Sequence, residues 1–100
     1  MNQIYQRSGY KIYCANDEYI VHNSNLKGFA HSHIKNYKAC LWIIDLAIKK
    51  QCPYDIPKYF VVSLMRLTDD KKYLESLSSI LDRKNKSNKK KYYNVNKGKR

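Results

Sequence analysis

The chain has 100 residues, and its 20 Lys or Arg against 8 Asp or Glu give a formal net charge of +12 at pH 7. This length predicts one domain and excludes a doubly wound nucleotide-binding enzyme or a (β/α)8 barrel. The longest apolar stretch falls short of the ~20 residues of a membrane span, and the first ten residues lack a signal-peptide core. Three widely spaced cysteines favour reduced thiols, so we expect a cytoplasmic protein.

The positive charge is concentrated towards the C-terminal end. Residues 83–100 contain nine basic residues and no acidic one, whereas residues 1–82 contain 11 basic and 8 acidic residues. The former segment carries +9 and the latter +3. Because residues 83–100 hold only three apolar side chains, they cannot form a core of their own. The sequence therefore predicts one compact α+β domain over residues 1–82 and a Lys-rich, disordered tail over residues 83–100.

A β-hairpin is predicted near the N-terminus. Residues 9–15 and 18–22 are rich in β-forming residues, and they flank an Asn-Asp pair that favours a tight turn. Since an isolated hairpin is only marginally stable, we expect it to pack against helices or to gain a third strand from residues 3–6. Residues 23–30 contain Asn, Ser and Gly and are predicted to form a loop.

Three helices are predicted to follow the hairpin, giving the order ββααα. The first is expected to begin near Ser32 or His33 and to end at a Cys-Pro pair, and its apolar residues on two sides suggest a central position. The second starts around Pro57, because a proline in the first turn loses no needed hydrogen bond. The third starts at residues 68–70, whose hydroxyl and carboxylates suit a helix N-terminus, and ends at about Asp82.

The basic tail is the leading candidate for contact with nucleic acid. Lysines and arginines neutralise phosphates and release counterions, and tyrosine rings stack on unpaired bases. The predicted contacts are Arg83, Lys84, Lys86, Lys89, Lys90, Lys91, Tyr92, Tyr93, Lys97, Lys99 and Arg100. A passive solubilising tail is the plainer interpretation. A membrane surface is a third, although no amphipathic basic helix supports it.

A tryptophan lies within the charged strip of the first predicted helix. Tryptophan in such a setting anchors a protein interface or stacks on a base, unless the hairpin or the tail covers it. The second predicted helix adds a polar face, on which Ser63 also lies. The predicted protein interface comprises Lys35, Lys38, Trp42, Lys49, Tyr59 and Arg66. A homodimer would use the tryptophan or the exposed edge of the hairpin.

Histidine and cysteine are the residue types that would bind zinc in this chain. Their spacing matches no metal motif, and hydrogen bonding at the loop or strand edge is the alternative role for the histidines. We therefore expect no cofactor, and the residues that would ligate a metal are Cys14, His22, His31 and His33. No spacing typical of a catalytic triad or a Gly-rich phosphate loop is present, so we expect no enzymatic activity.

The last two predicted helices offer an alternative function. With a short connection they would form a helix-turn-helix and place the third helix in the major groove of DNA, as in a transcriptional regulator. Lys71 and Lys72 would then face the DNA. The acidic residues Asp69, Asp70 and Glu75 lie in the same half of the helix, where they would repel phosphate.

Three segments resemble small accessory proteins of phages and prophages of low-GC Gram-positive bacteria. They are residues 19–23 (YIVHN), 28–34 (GFAHSHI) and 64–70 (LMRLTDD). The resemblance implies action without catalysis, by binding a host protein or nucleoprotein. Anti-CRISPR proteins and other anti-defence inhibitors are similar in size, composition and origin. We therefore expect a binding module that inhibits a nucleic-acid-containing host complex, such as an RNA-guided defence effector.

Overall fold

The computed structural model describes the backbone of residues 2–98 and the side chains of residues 2–86. The elements are β1 (Asn2–Arg7), β2 (Tyr10–Ala15), β3 (Glu18–Asn23), β4 (His31–Ile34), α1 (Tyr37–Lys49), α2 (Lys58–Arg66) and α3 (Lys71–Gly98). The strands form one antiparallel sheet in the order β1-β2-β3-β4, so every strand pairs with its neighbour in sequence. The fold is α+β, a four-stranded sheet followed by three helices.

Two tight turns connect the first three strands. Ser8 and Gly9 join β1 to β2, Asn16 and Asp17 join β2 to β3, and all four residues have φ between 46° and 86°. Two consecutive residues of positive φ are typical of the type I′ turn, whose twist matches that of the paired strands. The predicted hairpin is confirmed, and β1 is the third strand expected from residues 3–6.

The register gives the sheet an inner and an outer face. On the inner face, Ile12 lies opposite Val21, and both are fully buried. Helices α1 and α2 pack there, against β3 and β4. Three side-chain hydrogen bonds join this face to the helical half: Arg7 to Asp45 at 3.4 Å, Asn23 Nδ2 to the Leu67 carbonyl at 2.8 Å, and Ser32 Oγ to Ser63 Oγ at 2.7 Å. The core therefore lies between the inner face and the helices.

Strand β4 occupies the predicted start of the first helix. Its alternation buries Ser32 and Ile34 and leaves His31 and His33 on the outer face. Helix α1 begins after Asn36, whose side chain accepts a hydrogen bond from the backbone N–H three residues later at 3.1 Å. The predicted helix start at Ser32 or His33 is wrong, because four residues are too few to distinguish two periods of a strand from one turn of a helix.

Helix α3 starts as predicted but continues beyond the predicted end at Asp82. Asp70 caps it by accepting a hydrogen bond from the Tyr73 N–H at 2.9 Å. Its helical backbone extends to Gly98, and residues 83–97 contain neither Gly nor Pro to end it. The position after residue 82 lies within this helix, and the division of the chain there stays a prediction.

Candidate nucleic-acid interface

The outer face of the sheet carries a continuous row of aromatic and imidazole rings. Tyr13 and His22 are 6.2 Å apart between ring centroids, and His22 and Phe29 are 4.3 Å apart. The row continues from Phe29 to His31 at 4.5 Å and from His31 to His33 at 5.2 Å. It starts on β2, crosses β3 and ends on β4, with Phe29 contributed by the preceding loop. This set of five residues is called the ring row below.

The ring row surrounds an apolar centre while remaining accessible. Ile20 lies between Tyr13 and His33 in the strand register and is only 8% exposed. Phe29 is 48% exposed, an unusual fraction for a phenylalanine that already touches two other rings. The outer face thus presents ring surface to solvent beside its polar side chains, on the side of an antiparallel sheet that polar residues normally cover.

His22 lies between Tyr13 and Phe29 in the ring row and has an unusual environment. Its Nδ1 atom is buried and has no hydrogen-bond partner, the one such side-chain atom within the described residues. Burial lowers the pKa of His22 below its ordinary value of 6.5, and the positive charges of Lys11 and His31 lower it further. The folded protein therefore favours the neutral imidazole, whose apolar ring face packs against Phe29.

This shift makes the stability of the protein depend on pH. The unfolded chain binds a proton at His22 near pH 6.5, whereas the folded chain binds it at lower pH. We expect the free energy of unfolding to fall as the pH is lowered through 6.5, as measured by urea denaturation at pH 7.5 and pH 5.5. His22→Gln should reduce this fall, and His33→Gln should retain it. An identical pH dependence in the wild type and His22→Gln would contradict this assignment.

The charges around the ring row are mostly positive. Lys11 lies directly opposite His22 on the outer face, and Lys27 is exposed two residues before Phe29. The acidic side chain at this face, Glu18, accepts a hydrogen bond from His33 Nδ1 at 2.6 Å. A contact between half-exposed side chains of this kind contributes little stability, but it gives the carboxylate a partner within the outer face.

The structure describes the first three basic side chains of the predicted tail. Lys84 Nζ donates to the Tyr54 carbonyl at 2.9 Å and lies 5.7 Å from the centroid of that ring. Lys86 pairs with Asp82 at 3.4 Å, and Arg83 is exposed. Arg83, Lys84 and Lys86 therefore belong to a helix packed on the body. The predicted contacts from Lys89 to Arg100 lie outside the described side chains.

The predicted protein-interface residues lie on the helical half. Trp42 is 39% exposed and meets Phe60 edge-on at 5.6 Å, and Phe60 also touches Tyr59 at 4.3 Å. Lys49 pairs with Asp45 at 3.2 Å. Phe60 thus connects the exposed rings of α1 and α2 into a second aromatic cluster, separate from the ring row. The remaining predicted residues, Lys35, Lys38 and Arg66, are exposed on this half.

The four residues considered as metal ligands do not come together. In the strand register, Cys14 lies opposite Tyr19, on the inner side of the sheet, whereas the three histidines share the outer face. Among the described residues, no group of three or more His, Cys, Asp or Glu side chains is arranged to hold a metal ion. His31 and His33 were predicted to lie just before or at the start of the first helix, and both belong to strand β4 instead.

Sequence reasoning missed Phe29, Tyr13 and Lys11 as members of a common surface. The alternation of β2 already places Lys11 and Tyr13 on one face, but the segment of β4, two strands away, was predicted as the start of the first helix. Because β4 was not predicted, the alternation of His31, Ser32 and His33 was not interpreted as a sign of a strand.

In the part of the chain that the structure covers, no helix is long and apolar enough to span a membrane.

Neither the sequence nor the fold of this chain finds a match among known proteins. No protein-family model matches the sequence. No curated protein and no solved structure matches it either. The function is therefore inferred from two physical features of this chain, its charge distribution and the side chains on the outer face of the sheet.

Proposed function

We propose that this chain is a non-enzymatic binding module that contacts nucleic acid through its basic C-terminal segment. In the setting that the resemblance implies, it acts in the cytoplasm of a bacterial host as a phage accessory protein. Its proposed target is a nucleic-acid-containing host complex, such as an RNA-guided defence effector, which it inhibits by binding.

The observation that carries the proposal is the charge distribution. Residues 83–100 hold nine basic residues and no acidic one, in a chain whose remaining 82 residues are close to neutral at +3. Such a segment attracts phosphates over about one Debye length, ~8 Å at physiological salt, and releases their counterions on contact. The exposed rings of Trp42 and Tyr59 support a direct protein contact by the folded body within the same complex.

A helix-turn-helix function is less compatible with the contacts of α3. Lys50 Nζ donates to Asp70 at 2.5 Å, and the Tyr73 hydroxyl donates to the Gln51 carbonyl at 2.7 Å. These bonds attach the first turn of α3 to the end of α1. A recognition helix normally presents this turn to the bases of the major groove.

The proposal predicts that binding depends on where positive charge lies, and not only on its amount. We expect a tail variant with Lys→Gln at residues 89, 90, 91 and 97 to bind a fluorescein-labelled dT12 oligonucleotide more weakly than the wild type. Glutamine preserves helix propensity, so the backbone preference is little changed. The slope of log affinity against log salt concentration should decrease by as much as about 3, since each lost phosphate contact removes about 0.7.

A matched variant separates this effect from net charge. Lys→Gln at residues 38, 58, 71 and 72 also changes the formal charge from +12 to +8, and all four side chains are exposed on the body. This control should retain most of the affinity and the salt slope. The tail would be excluded from the mechanism by an equal loss of affinity in both variants. It would also be excluded if the affinity of the wild type did not depend on salt concentration.

A further inference from the structure

We propose that the outer face of the sheet is a binding site for unpaired bases, so that the protein prefers single-stranded nucleic acid to duplex. The proposal rests on the proposed nucleic-acid function and adds a second site to it. The ring row would stack on the faces of the bases, while the basic residues beside it contact the backbone.

The dimensions of the ring row suit a short single strand. It crosses from β2 to β4, two strand spacings or about 10 Å. Neighbouring rings are 4.3–6.2 Å apart between centroids, wider than the ~3.4 Å between stacked nucleotides, so the row suits a short run of bases that are unstacked from one another. Phe29, 48% exposed, offers the largest free ring surface at the middle of the row, and His33 is exposed at its end.

The chemistry of the outer face favours a base over an apolar protein segment. Three of its five rings are imidazoles, which stack on bases and also hydrogen-bond to their edges. Lys11 lies on the outer face opposite His22, where it can contact a phosphate, and exposed Lys27 belongs to the loop that supplies Phe29. The carboxylate of Glu18 is already bonded to His33. In a duplex the faces of the bases are occupied by neighbouring bases, so the ring row can stack on few of them and should bind a duplex weakly.

Substitution of Phe29 tests the site directly. The ring is half exposed, so Phe29→Ala should preserve folding, which thermal unfolding will check. Stacking on one aromatic side chain is worth about 1–3 kcal/mol per base. We therefore expect Phe29→Ala to bind labelled dT12 and rU12 roughly 5- to 150-fold more weakly. Phe29→Trp should restore the affinity, and neither change should alter the weaker binding to a 12-base-pair duplex.

Tyr59→Ala is the matched control, because Tyr59 is an exposed ring on the helical half, 64% accessible. It should bind both oligonucleotides as the wild type does. If Phe29→Ala binds as tightly as the wild type, or if the wild type prefers duplex, the site is wrong while salt-dependent binding still supports the proposed function. If the wild type binds neither probe, both proposals fail.

A measurement on the unmodified chain gives an independent test. The protein has three histidines, all of them in the ring row. Their ring-proton NMR signals can therefore be followed without ambiguity from other histidines. Addition of dT12 should shift these signals upfield through the ring currents of stacked bases. Unchanged histidine signals at saturating dT12 would overturn the proposal.

Discussion

Replacing Asn23 by alanine should lower the free energy of unfolding by about 2–4 kcal/mol. Asn23 is 4% exposed, and its amide group joins the sheet to the helical half. Its Nδ2 donates to the Leu67 carbonyl at 2.8 Å, and its Oδ1 accepts from the Asn25 N–H at 3.0 Å. Alanine leaves that carbonyl buried without a partner, and an unpaired buried polar group costs about 1–3 kcal/mol in addition to the lost bonds.

Urea denaturation monitored by circular dichroism measures this loss. Asn36→Ala is the control, since it is the same substitution at an exposed asparagine that caps α1 through one hydrogen bond at 3.1 Å. Loss of a cap costs about 1 kcal/mol. A loss at Asn23 no greater than the loss at Asn36 would show that the bond to Leu67 contributes little.

Replacing Gly9 by alanine should cost about 2–3 kcal/mol. Gly9 has a φ of +86°, a region that is unfavourable for a residue with a Cβ atom. An added Cβ would also collide with the side-chain amide of Asn25, which donates to the Ser8 carbonyl at 3.0 Å. The substitution therefore combines backbone strain with the loss of the Asn25–Ser8 hydrogen bond, which joins the loop after β3 to the β1–β2 turn.

Gly28→Ala separates the two contributions. Gly28 has a comparable φ of +75°, but a Cβ added there meets nothing within 4 Å. Gly28→Ala should lower the free energy of unfolding only through backbone strain, by about 1 kcal/mol. Thermal unfolding should place the midpoint of Gly9→Ala on the order of 10 °C below the wild type, with Gly28→Ala in between. Equal midpoints for the two variants would exclude the clash with Asn25.

Local signals in the sequence predicted most of the fold. The Asn-Asp pair adopts the positive φ values of its turn, Pro57 precedes α2, and Asp70 caps α3. Each of these depends on a few adjacent residues. Ser63 could not be placed this way, because it was assigned to a polar face but is 5% exposed. Its hydrogen bond to Ser32 depends on β4, a strand 31 residues away that the helix prediction had removed.

The candidate site was less predictable than the fold. Charge is visible in any sequence, so the basic segment could be identified from composition alone. The ring row requires the pairing of three strands, and His22 meets His31 only once β3 and β4 are in register. Phe29 comes from a loop without periodicity, so no pattern linked it to these histidines. Its exposure was the decisive signal, and exposure is a property of the folded chain.

The order β1-β2-β3-β4 has a consequence for synthesis on the ribosome. A sheet whose strands all pair with sequence neighbours involves short loops, and hairpins of this kind form within about 1–10 μs. The chain grows at only about 5–20 residues per second, so the four strands can pair seconds before α1 and α2 have both left the ribosome. During that interval the inner face, with Ile12 and Val21, lacks its helical cover. Nascent chains should therefore be most prone to aggregation or chaperone capture at that stage.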